Sequence, residues 1–79
     1  MTADDLLGVV RAAVATALER DPAAVPPEAR LREDLGADSL TLLEMAAIVE
    51  GRTRLRIADE DLDGLRTVRD VVEHCEALR

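Results

Sequence analysis

The sequence contains one serine, one histidine and one cysteine, the residue types from which nucleophile–base pairs are built. His74 and Cys75 are adjacent, so on a helix their side chains point about 100° apart and do not face each other. Cys75 is interpreted as a small core residue and His74 as a surface residue, because free cysteines are often buried. Ser39 has no base nearby in the sequence, and no aspartate is clearly placed to orient His74. The pattern argues against catalysis within this chain.

The charged residues also restrict the function. The net charge is −7, all ten basic residues are arginine, and the chain has no aromatic residue. Clustered positive charge for phosphates and aromatic platforms for bases are both missing, so nucleic acid is not an expected partner. The acidic run Asp59, Glu60, Asp61 and Asp63 lacks the ligand pattern of a calcium loop and is interpreted as a solvated helix start. No metal site is predicted.

The 79 residues predict a single domain, residues 1–79, with one thin core. One cysteine cannot form an internal disulfide, which indicates a reducing compartment. We recognise no secretion signal and no apolar run of the roughly 20 residues that a membrane span needs. These features predict a soluble cytoplasmic protein that does not interact with membranes.

Three helices of useful length are predicted. Apolar residues recur at helical spacing over roughly residues 3–19, after a capping box of Thr2 and Asp5. A second helix covers roughly residues 39–51, and a third covers roughly 68–78 after a box of Thr67 and Asp70. The stretch RTRLRI at 52–57 alternates like a strand, but no second strand exists to pair with it. It is predicted to be a loop with Leu55 and Ile57 pointing inward, followed by one short helical turn within 58–65.

The segment 21–37 contains all three prolines, so it is predicted to be a long loop with its own apolar anchors. Those anchors are Val25, Leu31 and Leu35, and Gly36 permits a positive φ before the next helix. Asp38 is a good N-cap for that helix, which places Ser39 at its first position.

The second helix has two faces at about 100° per residue. One face is apolar and is predicted to be buried: Leu42, Met45, Ala46, Val49 and Thr53. The opposite face also carries apolar residues, with acids among them: Leu40, Leu43, Glu44 and Ala47, with Glu50 and Gly51 nearby. A helix that packs on one side only does not need this second apolar face, which favours a docking function.

Ser39 at a helix start is well placed for a phosphate. Unpaired backbone N–H groups and the positive end of the helix dipole would stabilise a phosphodiester on its hydroxyl. Leu40 and Leu43 would offer such a group an apolar surface. Ordinary capping explains a D-S pair equally well, so the pair alone is a weak signal.

The motifs taken together resemble the acyl carrier protein family. The resemblance runs from LREDLGADSL at 31–40, through Glu44–Met45 and RIADED at 56–61, to TVRDVVEHCEAL at 67–78. It implies an all-α, up-and-down four-helix bundle with a short third helix. It also implies that Ser39 carries 4′-phosphopantetheine, attached from coenzyme A by a phosphopantetheinyl transferase. The thiol of that arm would hold acyl groups as thioesters, so the chemistry belongs to partner enzymes.

The resemblance also implies roles for other residues. Asp38 would cap the helix and serve transferase recognition. Leu40, Leu43, Glu44 and Ala47 match the family's docking positions for ketosynthases, acyltransferases and other synthase enzymes, and a monomer is expected. The apolar residues that would form the core and line an acyl pocket are Leu6, Val10, Val14, Leu42, Met45, Val49, Leu55, Ile57, Leu62, Leu65, Val68, Val72 and Cys75.

The chain departs from fatty-acid carriers at several positions. Thr41 stands where many have an acid, Thr53 replaces a core aromatic residue and Ala58 replaces a usual proline. The stretch EGRTRLRI at 50–57, with Arg52, Arg54 and Arg56, is basic where those carriers are acidic. The middle of the chain, DSLTLLEMAA, favours a carrier of type II polyketide or other specialised metabolism. The alternatives are a fatty-acid carrier, a peptidyl carrier, in which Ala37 would replace the usual second glycine, and an unmodified helical interaction module.

Overall fold

The protein is described here from a computed structural model, which covers residues 3–79, with side chains from Asp5 onward. It forms four α-helices: α1 (Ala3–Leu18), α2 (Ser39–Thr53), α3 (Asp59–Leu62) and α4 (Val68–Ala77), with a 3₁₀ turn at Pro22–Ala24. Within these residues no strand forms, and one isolated backbone bridge joins Arg30 to Thr67. The predicted all-α, four-helix fold with a short third helix is confirmed. The predicted box of Thr2 and Asp5 lies outside the described residues.

The helices enclose one hydrophobic cluster. Helix α1 packs against both α2 and α4, and α2 also contacts α3. Most predicted core residues are buried, but Leu55 and Leu65 are only half-buried at its edge. The cluster also includes small residues that were not in the predicted core, among them Ala13, Ala15 and Ala29. Ala13 and Ala15 lie on α1, and Ala29 lies in the loop between α1 and α2.

The loop between α1 and α2 is fixed to the bundle by buried apolar side chains and by hydrogen bonds from α1. Its predicted anchors Val25, Leu31 and Leu35 are all buried, which confirms them. The side chain of Arg11 on α1 donates hydrogen bonds to the carbonyl oxygens of Val25 (2.9 Å) and Pro22 (3.0 Å). These contacts therefore attach the long loop to the core, as predicted for a loop of this length with its own apolar anchors.

Helix α4 begins with the predicted capping box. The hydroxyl of Thr67 accepts from the backbone N–H of Asp70 at 3.1 Å, and the carboxylate of Asp70 accepts from the backbone N–H of Thr67 at 3.1 Å. The loop runs beside this start, where the Leu31 N–H donates to the Arg66 carbonyl at 2.8 Å. The prediction of the box is confirmed, and the loop that carries Leu31 is tied to it.

The end of α2 differs from the expected position near Gly51. Gly51 lies inside the helix, and α2 continues to Thr53 before Arg54 takes the left-handed cap conformation at φ 64°. Arg52 and Thr53, predicted to be loop, are therefore helical. The carboxylate of Glu50 explains the geometry that follows, because it accepts from the backbone N–H of Ile57 at 2.7 Å. This contact turns the chain so that Ile57 is buried, as predicted.

Candidate functional site

Ser39 is the first residue of α2 and its side chain is exposed. Asp38 precedes it in an extended conformation and caps the helix, because its Oδ1 accepts from the Thr41 backbone N–H at 2.8 Å. The same oxygen accepts from the Thr41 hydroxyl at 2.9 Å. The predicted N-cap is confirmed. The two bonds, the backbone one foremost, hold the pKa of Asp38 below its ordinary value.

Thr41 was noted in the sequence only as a departure from the acid common in fatty-acid carriers. The structure shows it to be the partner of the cap through both its backbone and its hydroxyl. Its spacing of three residues after Asp38 is the signal that could have found it. The hydroxyl of Ser39 has no hydrogen-bond partner among residues 3–79, and its side chain is exposed, so the cap leaves the hydroxyl open to solvent.

The turn before α2 sets the direction in which Ser39 is presented. Gly36 has φ 73°, in the left-handed region that favours glycine, which confirms the prediction for it. Its backbone N–H donates to the Arg32 carbonyl at 3.1 Å, and the N–H of buried Ala37 donates to the Leu31 carbonyl at 2.9 Å. Consecutive bonds of this kind fix the chain up to the residue before the cap.

An open groove of about 200 Å³ lies beside Ser39, between α2 and α3. Its inner surface includes Leu42 and Leu62, which are buried in the core. The remaining lining residues are mostly polar: Arg32, Ser39, Leu43, Asp59 and Asp63. Nothing in the sequence pattern indicated Arg32, because it belongs to the loop and reaches the groove only through the fold. The site thus combines an accessible hydroxyl, an apolar inner surface and a charged rim.

The outer face of α2, defined as Leu40, Leu43, Glu44 and Ala47, is exposed along its whole length. Leu40 is 65% exposed and Leu43 is 44% exposed, and these are among the large apolar residues most open to solvent. On the opposite side Leu42, Met45, Ala46 and Val49 are buried, which confirms the predicted division of α2 into two faces, but Thr53, predicted to be buried with them, is only half-buried at the end of the helix. The structure places the predicted docking residues together, beside Ser39.

The histidine and cysteine do not form a reactive pair. Cys75 is fully buried, and burial raises the pKa of its thiol. His74, predicted to be a surface residue, is half-buried, because α3 lies against it. Its Nε2 atom lies 3.7 Å from the Asp61 carboxylate, which is too long for a hydrogen bond. Over residues 3–79, no group of three or more His, Cys, Asp or Glu side chains is arranged to hold a metal ion.

Comparison with known proteins indicates the family to which the chain belongs. A family model described as a phosphopantetheine attachment site matches residues 8–75. The chain is 41% identical over 76 residues to an acyl carrier protein of Exiguobacterium sp., covering 96% of each protein. It is 40% identical over 73 residues to an acyl carrier protein of Helicobacter hepaticus, covering 92% of this chain and 96% of that one. A meromycolate extension acyl carrier protein of Mycolicibacterium aurum is 45% identical over 58 residues, which are 73% of this chain and 60% of that protein.

These matches and the four-helix fold show that the chain belongs to the acyl carrier protein family. Proteins of this family hold acyl groups on a covalently attached phosphopantetheine, which supplies a terminal thiol for thioester formation. The residues present fit such a group, because the exposed hydroxyl of Ser39 opens beside a groove with an apolar inner surface. In the described part of the chain, no helix has the length and apolar character of a membrane span.

Proposed function

We propose that Ser39 carries the phosphopantetheine arm and that the outer face of α2 presents the loaded arm to partner enzymes. The observation that carries this proposal is the position of the sole serine, exposed at the first turn of α2 and beside the groove. The transferase that attaches the arm and the synthases that use it would meet the same surface. The chain itself then needs no catalytic residue. Its cytoplasmic location stays a prediction.

The attachment is tested by intact mass after incubation with coenzyme A and a promiscuous phosphopantetheinyl transferase. The wild type should gain the mass of one arm, and Ser39→Ala should fold normally and gain none. Thr16→Ala, which removes another exposed hydroxyl, is the matched control and should be modified like the wild type. A modified Ser39→Ala, or a wild type that never gains mass, would mean that the protein is an unmodified interaction module or is modified elsewhere.

For the pathway, we propose polyketide or other specialised metabolism. The support is DSLTLLEMAA at 38–47 together with the basic stretch that includes Arg52, Arg54 and Arg56. All three arginines are exposed, and within residues 3–79 none of them forms an ion pair, so no neighbouring carboxylate is paired with their charge. This positive charge would repel the basic docking patches of fatty-acid enzymes and so reduce the number of enzymes that can bind the chain.

The second candidate is acyl-chain extension in lipid synthesis, favoured by the similarity to a relative named for meromycolate extension. Changing Arg52, Arg54 and Arg56 to Glu should raise turnover by a generic fatty-acid ketosynthase, and the gain should shrink as salt rises. If the wild type already works well with that enzyme, and the triple variant changes nothing across a salt titration, the lipid pathway is the better assignment.

A further inference from the structure

The charges around the groove beside Ser39 are unbalanced. Two carboxylates, Asp59 and Asp63, line it, and the carboxylate of Asp38 lies directly before Ser39. Among the described residues that line the groove, Arg32 is the only cation. An arm attached to Ser39 adds a phosphodiester, a further negative charge, to this acidic surrounding. That charge needs a counter-ion if the arm is to stay close to the groove.

Arg32 is positioned to change its partner. Its Nη2 lies 3.6 Å from Oδ1 of Asp63, which joins the loop before α2 to the end of α3. The side chains are 45% and 86% exposed, so the pair is of the weak, solvent-screened kind. The backbone of Arg32 is fixed, since its carbonyl accepts from Gly36 and its neighbour Leu31 is buried. A long, flexible side chain thus extends from a rigid point into the groove that contains Ser39.

We propose that Arg32 is the positioning residue for the phosphate of the arm. When Ser39 is modified, the Arg32 guanidinium leaves Asp63, to which it makes one long contact at 3.6 Å, and pairs with the phosphodiester. Its planar donor fork can bind both non-bridging oxygens of that group together. The pairing orients the first part of the arm along the groove and frees Asp63 at the end of α3. This inference rests on the proposed attachment at Ser39.

The neighbouring cavity provides a matched control. It has a volume of about 510 Å³ and shares Arg32 and Asp63 with the groove, but Ser39 does not line it. Arg66 lines this cavity but not the groove, and within residues 3–79 its guanidinium has no ion-pair partner. Arg66→Gln therefore removes the same charge from the same side of the molecule without touching the groove beside Ser39.

The experiment compares the apo protein and the phosphopantetheine-bearing protein for the wild type, Arg32→Gln, Arg32→Lys, Arg66→Gln and Asp63→Asn. The measured quantity is the change in melting temperature on modification. In Arg32→Gln the melting temperature of the modified protein, relative to that of the apo protein, should be about 1–5 °C lower than the same difference in the wild type at low salt. Arg32→Lys should restore part of it, Arg66→Gln should leave it unchanged, and Asp63→Asn should make it more favourable by removing the competing partner. The effect should vanish near about 1 M salt.

A spectroscopic readout identifies the contact directly. The side-chain Nε–H resonance of Arg32 should shift on modification and that of Arg66 should not, and the phosphorus resonance of the arm should differ between Arg32→Gln and Arg66→Gln. Equal effects of Arg32→Gln and Arg66→Gln on both readouts would overturn the proposal. Because intact mass reports the modification separately, a protein that is never modified defeats the proposed attachment, whereas a modified protein with no Arg32 effect defeats only this inference.

Discussion

The division of α2 into a buried face and a proposed docking face can be tested with two alanine substitutions. Val49→Ala removes two methyl groups from a side chain with no exposed surface. At about 0.8 kcal/mol per buried carbon, plus a cavity contribution, the loss of unfolding free energy is about 2 kcal/mol. In a domain of this size that loss lowers the melting temperature by roughly 8–16 °C. A domain of 79 residues has about 4–12 kcal/mol in total, so the variant should stay folded.

Leu43→Ala should behave in the opposite way. The side chain is 44% exposed, so its truncation leaves no enclosed cavity and costs at most about 1 kcal/mol, a shift of at most about 4–8 °C. It does remove an apolar contact about one helical turn from Ser39, on the face that a partner would meet. Acyl transfer from a partner enzyme should therefore be slowed substantially for Leu43→Ala and little changed for folded Val49→Ala.

The assay pairs thermal unfolding with single-turnover acyl transfer, both measured on phosphopantetheine-bearing protein. Val49→Ala is the control for a stability defect without a docking defect, and Leu43→Ala is the reverse. If Leu43→Ala destabilises as much as Val49→Ala, the assignment of the two faces is wrong. If Leu43→Ala melts like the wild type and also transfers like it, then its exposure has no part in docking.

Three further predictions concern the charges and caps. The pKa of Asp38 is lowered in the fold, so its stabilisation is complete above its ordinary value of 3.8 and is lost as the pH falls through the folded value. Asp38→Asn, which does not titrate, should therefore be less stable than the wild type at about pH 6, with a gap that narrows at about pH 2.5; a gap equal at both pH values refutes this. Thr67→Ala should cost about 1 kcal/mol in chemical denaturation by removing the α4 cap, and Thr67→Ser should keep most of it; equal losses would show that the methyl group matters instead. Glu44→Lys should slow acyl transfer, with the loss shrinking as salt rises; a salt-independent loss contradicts a charge contact with the partner.

Short-range patterns in the sequence were sufficient to predict the helices and the residues at which they begin. Asp38 caps α2, the box of Thr67 and Asp70 starts α4, and Gly36 takes a positive φ, as predicted. These features depend on residues at most three positions apart, so backbone preference and side-chain capping decide them locally. The same holds for the exposed and buried faces of α2, which follow from helical spacing alone.

Contacts between distant segments were decided only by the tertiary structure. Glu50 reaches the backbone of Ile57 because α2 runs past Gly51, and α3 covers part of His74, which looked like a surface residue. Arg32 enters the groove beside Ser39 because the loop is tied to the start of α4. Periodicity carries no information about which loop residue faces which helix, since that depends on how the whole chain packs around its core. The sequence alone therefore predicts a serine at the start of α2, whereas packing decides which charges surround that serine.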